Sequence, residues 1–200
     1  MSQQLIVAFI VFATATLFTP GPNNIMLLAS GLHFGIRRTV PHIAGVAIGF
    51  AVLVAAMGLG LGAVFIAFPL LQSLLKYAGA AYLVYLALMI AMAKPADPGG
   101  LAQGRPMTFM QAALFQWVNV KGWVIAIGTI TAYAAIATYP WNIMIQVLTL
   151  LLIGSVSSTT WAVFGTALQT LLKSPRAVRA FNLVMAGLLL ASLYPVLREP

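Results

Sequence analysis

Apolar residues run almost unbroken along this chain, and polar residues punctuate the runs. A helix crossing about 30 Å of hydrocarbon needs about 20 apolar residues at 1.5 Å each. The punctuation divides the chain into segments long enough for that: Leu5–Leu32, Val40–Phe68, Leu70–Ala93, Phe109–Ala137, Ile143–Leu172 and Val178–Leu197. The breaks between them are His33–Arg38, Phe68-Pro69, Lys94–Pro106, Thr138–Asn142 and Lys173–Arg179. Only the third is a linker rich in Pro and Gly, and it lies mid-chain. The pattern predicts an all-α integral membrane protein of six transmembrane helices. Residues 1–93 form a first three-helix repeat, 94–107 a cytoplasmic linker and 108–200 a second three-helix repeat. An odd number of helices in each half gives the halves opposite orientation, as an inverted-topology repeat requires.

Composition supports the membrane reading. Residues of the AVILMFWYC set make up 62% of the 200 residues, and charged residues only 6%. A soluble domain is about 45–50% apolar and about 25% charged. Together with a mean hydropathy of +1.03, this excludes a disordered chain, a cytosolic enzyme and a nucleic-acid binder. The net charge of +8 comes from ten Lys and Arg scattered singly or in pairs, as in membrane loops, rather than forming a basic face. The absence of cysteine excludes disulfides and thiolate metal sites. The first segment follows Met1-Ser2-Gln3-Gln4, which has no positive charge, and no small-residue cleavage site comes after it, so it is expected to persist as a span.

Charge placement sets the expected orientation. The first, third and fifth breaks hold Arg37, Arg38, Lys94, Arg105, Lys173, Arg176 and Arg179, whereas the opposite side has only Lys76 and Arg198. Basic loops stay in the cytoplasm, so both termini are expected outside.

Three places are too polar to be bilayer filler. In Thr19-Pro20-Gly21-Pro22-Asn23-Asn24, two prolines remove backbone donors and free carbonyls one turn earlier, and Gly21 permits unusual dihedrals. The first helix is therefore expected to be interrupted, with Pro22 opening a second half-helix whose positive end faces the membrane interior. A simple kink needs one proline and no paired asparagines. In Gln116-Trp117-Val118-Asn119-Val120-Lys121, helical rise puts Lys121 about 24 Å from Arg105, where a lysine needs a cavity or a partner. Counted from the cytoplasmic charges, Asn24 and Asn119 lie at about 20 and 21 Å, one depth, as a central transporter site between inverted repeats requires. The third place is Gly154-Ser155-Val156-Ser157-Ser158-Thr159-Thr160, where most hydroxyls are expected to bond their own helix but some to face inward. The candidate substrate-binding residues are Thr19, Pro20, Gly21, Pro22, Asn23, Asn24, Gln116, Asn119, Lys121, Ser155 and Thr159. Gly45 and Gly49 form a surface for close helix contact. Tyr82 and Tyr85 share a helix face as packing, and His33 and His42 are expected at the membrane interface without a proton-relay role.

Thr19–Asn24, Ser30–Arg38, Gly45-xxx-Gly49, Lys76–Tyr85 and Gln116–Lys121 together resemble the LysE/RhtB family of amino-acid exporters over nearly the whole chain. Val120 stands where the commoner family form has proline, and the Val-Asn-Val-Lys string is similar to the cysteine/O-acetylserine exporter branch. The resemblance implies inner-membrane export of amino acids or their derivatives, coupled to the proton gradient. The expected partners are then a small amino-acid substrate, the proton and the lipid bilayer, with a homodimer allowed and no cofactor, metal or nucleic acid. Because the only acids are Asp97 and Glu199, outside the predicted site, the substrate is expected to be small and neutral, homoserine-, threonine- or cysteine-like. There is no phosphate-binding Gly-xxxx-Gly-Lys-Ser/Thr loop for ATP coupling. The alternatives are a channel or lipid-handling scaffold, and a Ser–Lys intramembrane hydrolase, for which nothing fixes a serine beside Lys121.

The orientation is directly testable, because the chain has no native cysteine. Ser2→Cys and Pro200→Cys should react with an impermeant thiol reagent added to intact cells, and Gly100→Cys should not. The reverse labelling pattern would overturn the assignment of sides.

Overall fold

The computed structural model describes residues 2–61, 67–93, 105–172 and 174–194. Among these, every regular element is helical. In chain order they are α1 (Ser2–Phe18), α2 (Pro22–Ala56, continued by a wide turn over Met57–Leu61), α3 (Pro69–Met92), α4 (Phe109–Phe115), α5 (Val120–Ala132), α6 (Trp141–Leu171) and α7 (Pro175–Ala191). Lys94, Asp97, Lys173, Arg198 and Glu199 lie outside the described residues.

The helix α2 is two arms. Gly35 takes φ 71° and ψ 168°, a left-handed value that favours glycine. Ser30 Oγ lies 3.0 Å from His42 Nδ1 across a sequence separation of 12, which an unbroken helix would stretch to about 18 Å. Leu27 and Val46 likewise share one buried cluster. The chain therefore doubles back at Gly35. The break expected over His33–Arg38 contracts to this one residue, because a single glycine is enough to reverse the chain.

By length and composition, three helical stretches can cross a membrane: 22–61, Ser73–Met92 and Trp141–Leu171. The pair Phe109–Val118 and Val120–Ala132, bent by 69°, makes a fourth if it is one crossing. This count falls short of the expected six. The doubling at Gly35 counts two arms as one stretch, and the interruption at 19–21 separates α1 from the first arm.

Glycines set the helix packing. The most extensive interface is between α2 and α6. There a Cβ on Gly31 would collide with the Ala162 carbonyl, and one on Gly165 with the Leu28 carbonyl. Gly45 and Gly49 bring the second arm of α2 against Phe109 and Ala113 of α4, the close contact expected of that spacing. α3 packs on α7. The outward residues are apolar: Leu70, Leu152 and Leu171 are each more than two-thirds exposed, as lipid contact demands.

Tyr82 and Tyr85 stack with ring centroids 6.0 Å apart. His33 is half-buried and bonds Asn182 Oδ1 through Nε2 at 2.9 Å, while Asn182 Nδ2 donates to the Ala93 carbonyl. His42 departs from the interfacial expectation. It is fully buried, because the fold-back at Gly35 turns it inward onto Ser30.

The glycine crossing yields a stability test. Gly31→Ala and Gly165→Ala should each lower the thermal unfolding midpoint of the purified protein, with overpacking costing about 1–3 kcal/mol. Gly128→Ala and Gly187→Ala, where nothing lies within 4 Å of the added methyl, should hold or raise it through helix propensity. Equal shifts in both pairs would contradict the packing account.

Candidate functional site

The site is built where two broken helices meet. α1 ends at Phe18, and Pro20 and Pro22 cannot donate to carbonyls one turn back. α2 restarts with Pro22 in its first turn, and Ile25 N donates to the Gly21 carbonyl at 2.9 Å. The carbonyls that the break frees at the end of α1 do not stay free. Leu17 O accepts from Asn24 Nδ2 at 2.9 Å and from Ser157 Oγ at 2.8 Å. Thr19 O accepts from Asn24 Nδ2 at 3.0 Å and from Lys121 Nζ at 2.7 Å, and Pro20 O lies 3.5 Å from the same ammonium. Hydrocarbon offers no water to satisfy such groups, so side chains must.

Gly21 serves a different end from the one expected. Its φ of −171° and ψ of −179° are extended values open to any residue. A Cβ there, however, would sit 2.8 Å from Lys121 Cδ and 2.9 Å from Nζ, so glycine gives the lysine its place.

The fourth segment breaks without a proline. α4 opens on a reciprocal capping box of Thr108 and Gln111. The chain then tightens through Gln116–Val118, extends at Asn119 (φ −86°, ψ 97°) and restarts as α5. Tertiary contacts hold this break open. Gly79 of α3 packs directly on the Val118 carbonyl, and Trp123 Nε1 donates to Trp117 O at 3.1 Å.

The two breaks are locked together by a pair of amides. Asn23 Nδ2 donates to Gln116 Oε1 at 2.8 Å, and Gln116 Nε2 donates to Asn23 Oδ1 at 3.1 Å and to Ala112 O at 2.9 Å. Gln116 is fully buried, so each of these bonds replaces one that water cannot provide.

Two cavities adjoin the break. The smaller, about 40 Å³, has Asn24, Asn119, Lys121, Ser157 and Ser158 set among the apolar residues of its wall. The larger, about 460 Å³, lies between Thr19–Pro22, α5, Gly79 and Leu83 of α3, and Ser192 and Leu193. Lys121 and Asn119 line both. Asn119 is almost fully buried, and its Oδ1 has no hydrogen-bond partner.

The structure thus brings together Thr19, Pro20, Gly21, Pro22, Asn24, Asn119 and Lys121, with Asn23 bordering the smaller cavity and bonded to Gln116 beside it. Ser155 and Thr159 are not among these residues. Ser155 Oγ donates to its own helix at Leu151 O (2.7 Å), and Thr159 is exposed. Ser157 and Ser158 line the cavity instead, as does Thr16, which the sequence reading passed over. The signal for the serines was the small-residue stripe Gly154, Ser158, Ala162 and Gly165, whose helical spacing sets which face of α6 turns inward. Among the described residues no group of His, Cys, Asp or Glu could hold a metal ion.

A family model described as LysE type translocator matches residues 14–193. A cysteine/O-acetylserine efflux protein of Escherichia coli O139:H28 is 34% identical over 193 residues, covering 95% of this chain and 96% of that protein. Proteins of the same description from Escherichia coli K12 and Shigella sonnei are 34% identical over 192 residues, covering 94% of this chain and 95% of theirs. No solved structure matches the chain.

The amide pair should behave as a unit. Asn23→Ala or Gln116→Leu alone strips the remaining side chain of its partner amide and should cost about 1–3 kcal/mol. The double variant should cost clearly less than the sum of the two, read from unfolding midpoints in a double-mutant cycle. Additive losses would mean that the two side chains do not support one another.

Proposed function

The chain belongs to the LysE-type translocator family, a family of membrane transporters and not of enzymes, and from that premise we propose that it exports small neutral amino acids, cysteine-like ones among them. The observation that carries this reading is the Lys121 ammonium seated on Thr19 O at 2.7 Å, beside the unpartnered Asn119 Oδ1. Backbone carbonyls of a broken helix that hold one primary ammonium have the chemistry to hold another, and every α-amino acid carries one.

In the proposed cycle the substrate ammonium takes the place of Lys121 Nζ on Thr19 O and Pro20 O and gains Asn119 Oδ1. Lys121, released, meets the substrate carboxylate, and Thr19, Gly21, Pro22 and Asn24 shape the cradle. The amides of Asn23 and Gln116 hold the two breaks in register. The substrate side chain extends into the larger cavity, whose 460 Å³ falls within the range of small-molecule sites. When no substrate is bound, Lys121 satisfies the same carbonyls, so the empty carrier does not strand buried polar groups as it returns.

Charge sets the selectivity. Among the described residues there is no Asp or Glu, so a second cation on a dibasic substrate would have no partner. Leaving a buried charge unpaired costs several kcal/mol, a discrimination of more than about a hundredfold. The similarity to cysteine/O-acetylserine efflux proteins supports a substrate of that size. We extend the reading to six crossings arranged as two inverted three-helix repeats, residues 1–93 and 108–200, in an inner membrane with both termini outside. The paired interruptions at 19–21 and 116–119 support that arrangement. Coupling to an inward proton gradient completes the proposal.

In cells overproducing the protein, efflux of labelled cysteine or threonine should proceed against its gradient and stop on addition of an uncoupler. Lysine efflux should not rise above that of control cells. Lys121→Met should lose neutral efflux by more than about tenfold at normal abundance. Undiminished efflux by Lys121→Met, or strong lysine export by the wild type, would overturn this account of the site.

A further inference from the structure

A carrier driven by protons needs, inside its barrier, a group that changes charge near neutral pH. This chain offers few. It has no cysteine and two carboxylates, Asp97 in the linker and Glu199 past the last apolar segment. Helices α1, α4 and α6 contain no titratable side chain. Imidazole is the side chain whose ordinary pKa falls in the required range, and the chain has two, His33 and His42. His33 is half-buried, and its Nε2 is taken by Asn182.

His42 is placed differently. It is fully buried, its Nδ1 lies 3.0 Å from Ser30 Oγ, and its Nε2 has no partner. When Nδ1–H donates to the Ser30 hydroxyl, Nε2 carries a bare lone pair enclosed in the protein. His42, Val46 and Phe50 follow one another at i, i+4 and i+8 on one helix face, and Val46 and Phe50 line the smaller cavity. On the facing arm, Asn23, Leu27 and Ser30 form the matching row, and Asn23 also lines that cavity. Leu27, Val46 and Ala112 close into a buried apolar cluster. The Ser30–His42 pair therefore stands about one helical turn behind an apolar plug that separates it from the substrate cavity.

We propose that His42, seated on Ser30, is the binding site for the coupling proton. The proposal rests on the exporter reading above and adds the residue that links the proton to the substrate. The neutral ring takes up a proton at Nε2 and becomes an imidazolium with two N–H donors. Its new N–H has no acceptor in the arrangement described here. Among the described residues the elements around it supply no countercharge: α4 and α6 have no charged residue, and Lys121 of α5 is held at Thr19. On α2 itself, His33 bonds Asn182 and Arg37 and Arg38 are exposed, as are Arg105 before α4 and Arg176 and Arg179 of α7. A cation at His42 therefore disfavours the closed plug and favours a state in which water reaches Nε2. Loss of the proton restores the closed packing, so proton and substrate exclude one another across the Leu27–Val46–Ala112 cluster.

The test uses the full chain in lipid vesicles that are acidic inside, with labelled cysteine kept reduced. For the wild type, one unit of pH difference should drive about tenfold accumulation per proton exchanged. His42→Gln should exchange labelled for unlabelled cysteine at equal pH on both sides but lose the pH-driven accumulation. A wild type indifferent to the gradient would sink the coupling reading itself. A wild type that responds, together with a His42→Gln that accumulates equally, would sink only the role of His42. If His42→Gln loses exchange as well, isotope-labelled histidine in His33→Gln decides. Its one ring signal should change with pH, with a midpoint that moves when cysteine is added. A ring that does not titrate, or whose midpoint ignores cysteine, makes the Ser30–His42 bond a mere staple across the fold-back and overturns the proposal.

Discussion

The structure depends on what happens to a few carbonyl groups where no water can reach them. The prolines at 20 and 22 end α1 early, and the exposed oxygens of Leu17, Thr19 and Pro20 must find donors from within the protein. Asn24 comes from the next turn of the same segment, Ser157 from α6, and Lys121 from the start of α5. Each of those elements is fixed in position by the donor it delivers. The helix ending is thus both a defect repaired by the fold and the centre around which the fold is arranged.

Close packing makes that repair possible. Ser157 reaches Leu17 because α6 lies hard against α2, and it does so only because Gly31 and Gly165 let backbone meet backbone. Gly79 does the same for the second break by admitting the Val118 carbonyl, and Gly21 by admitting the lysine. Polar chemistry at the centre and the absence of side chains around it are one design. Every ångström removed between helices shortens the reach that a hydroxyl or an ammonium has to make.

Much of this was legible in the sequence, and the exceptions have physical reasons. Long apolar runs mark helices because the bilayer imposes a length, so α3 and α6 lie within a residue or two of their expected limits. The interruption at 19–21 was legible because two missing backbone donors cannot be hidden. The meeting of the two polar turns was legible because helical rise is constant and the charged ends give a common origin. Three features were not. The fold-back was marked by the break His33–Arg38, but its contraction to Gly35 alone was not, because one left-handed glycine reverses the chain without a loop. The inward phase of α6 depends on which small residues touch α2, so Ser157 and Ser158 were hidden among five neighbouring hydroxyl residues. The break at Asn119 is imposed by α3 and by a tryptophan indole, contacts that no local pattern of residues announces.

The dependence of Leu17 and Thr19 on distant donors bears on how the chain is made. The ribosome delivers α1 and the first arm of α2 long before it delivers Lys121, and Ser157 comes later still, 140 residues after the carbonyl it serves. Gln116 and Gly165, which lock and seat the same region, also belong to the later half. A newborn first half therefore enters the bilayer with Asn24 as the one side-chain donor to its most polar backbone. It has to wait at a wet boundary, in the insertion machinery or near the headgroups, until the second half arrives. For this protein, assembly of the site and completion of translation are a single event.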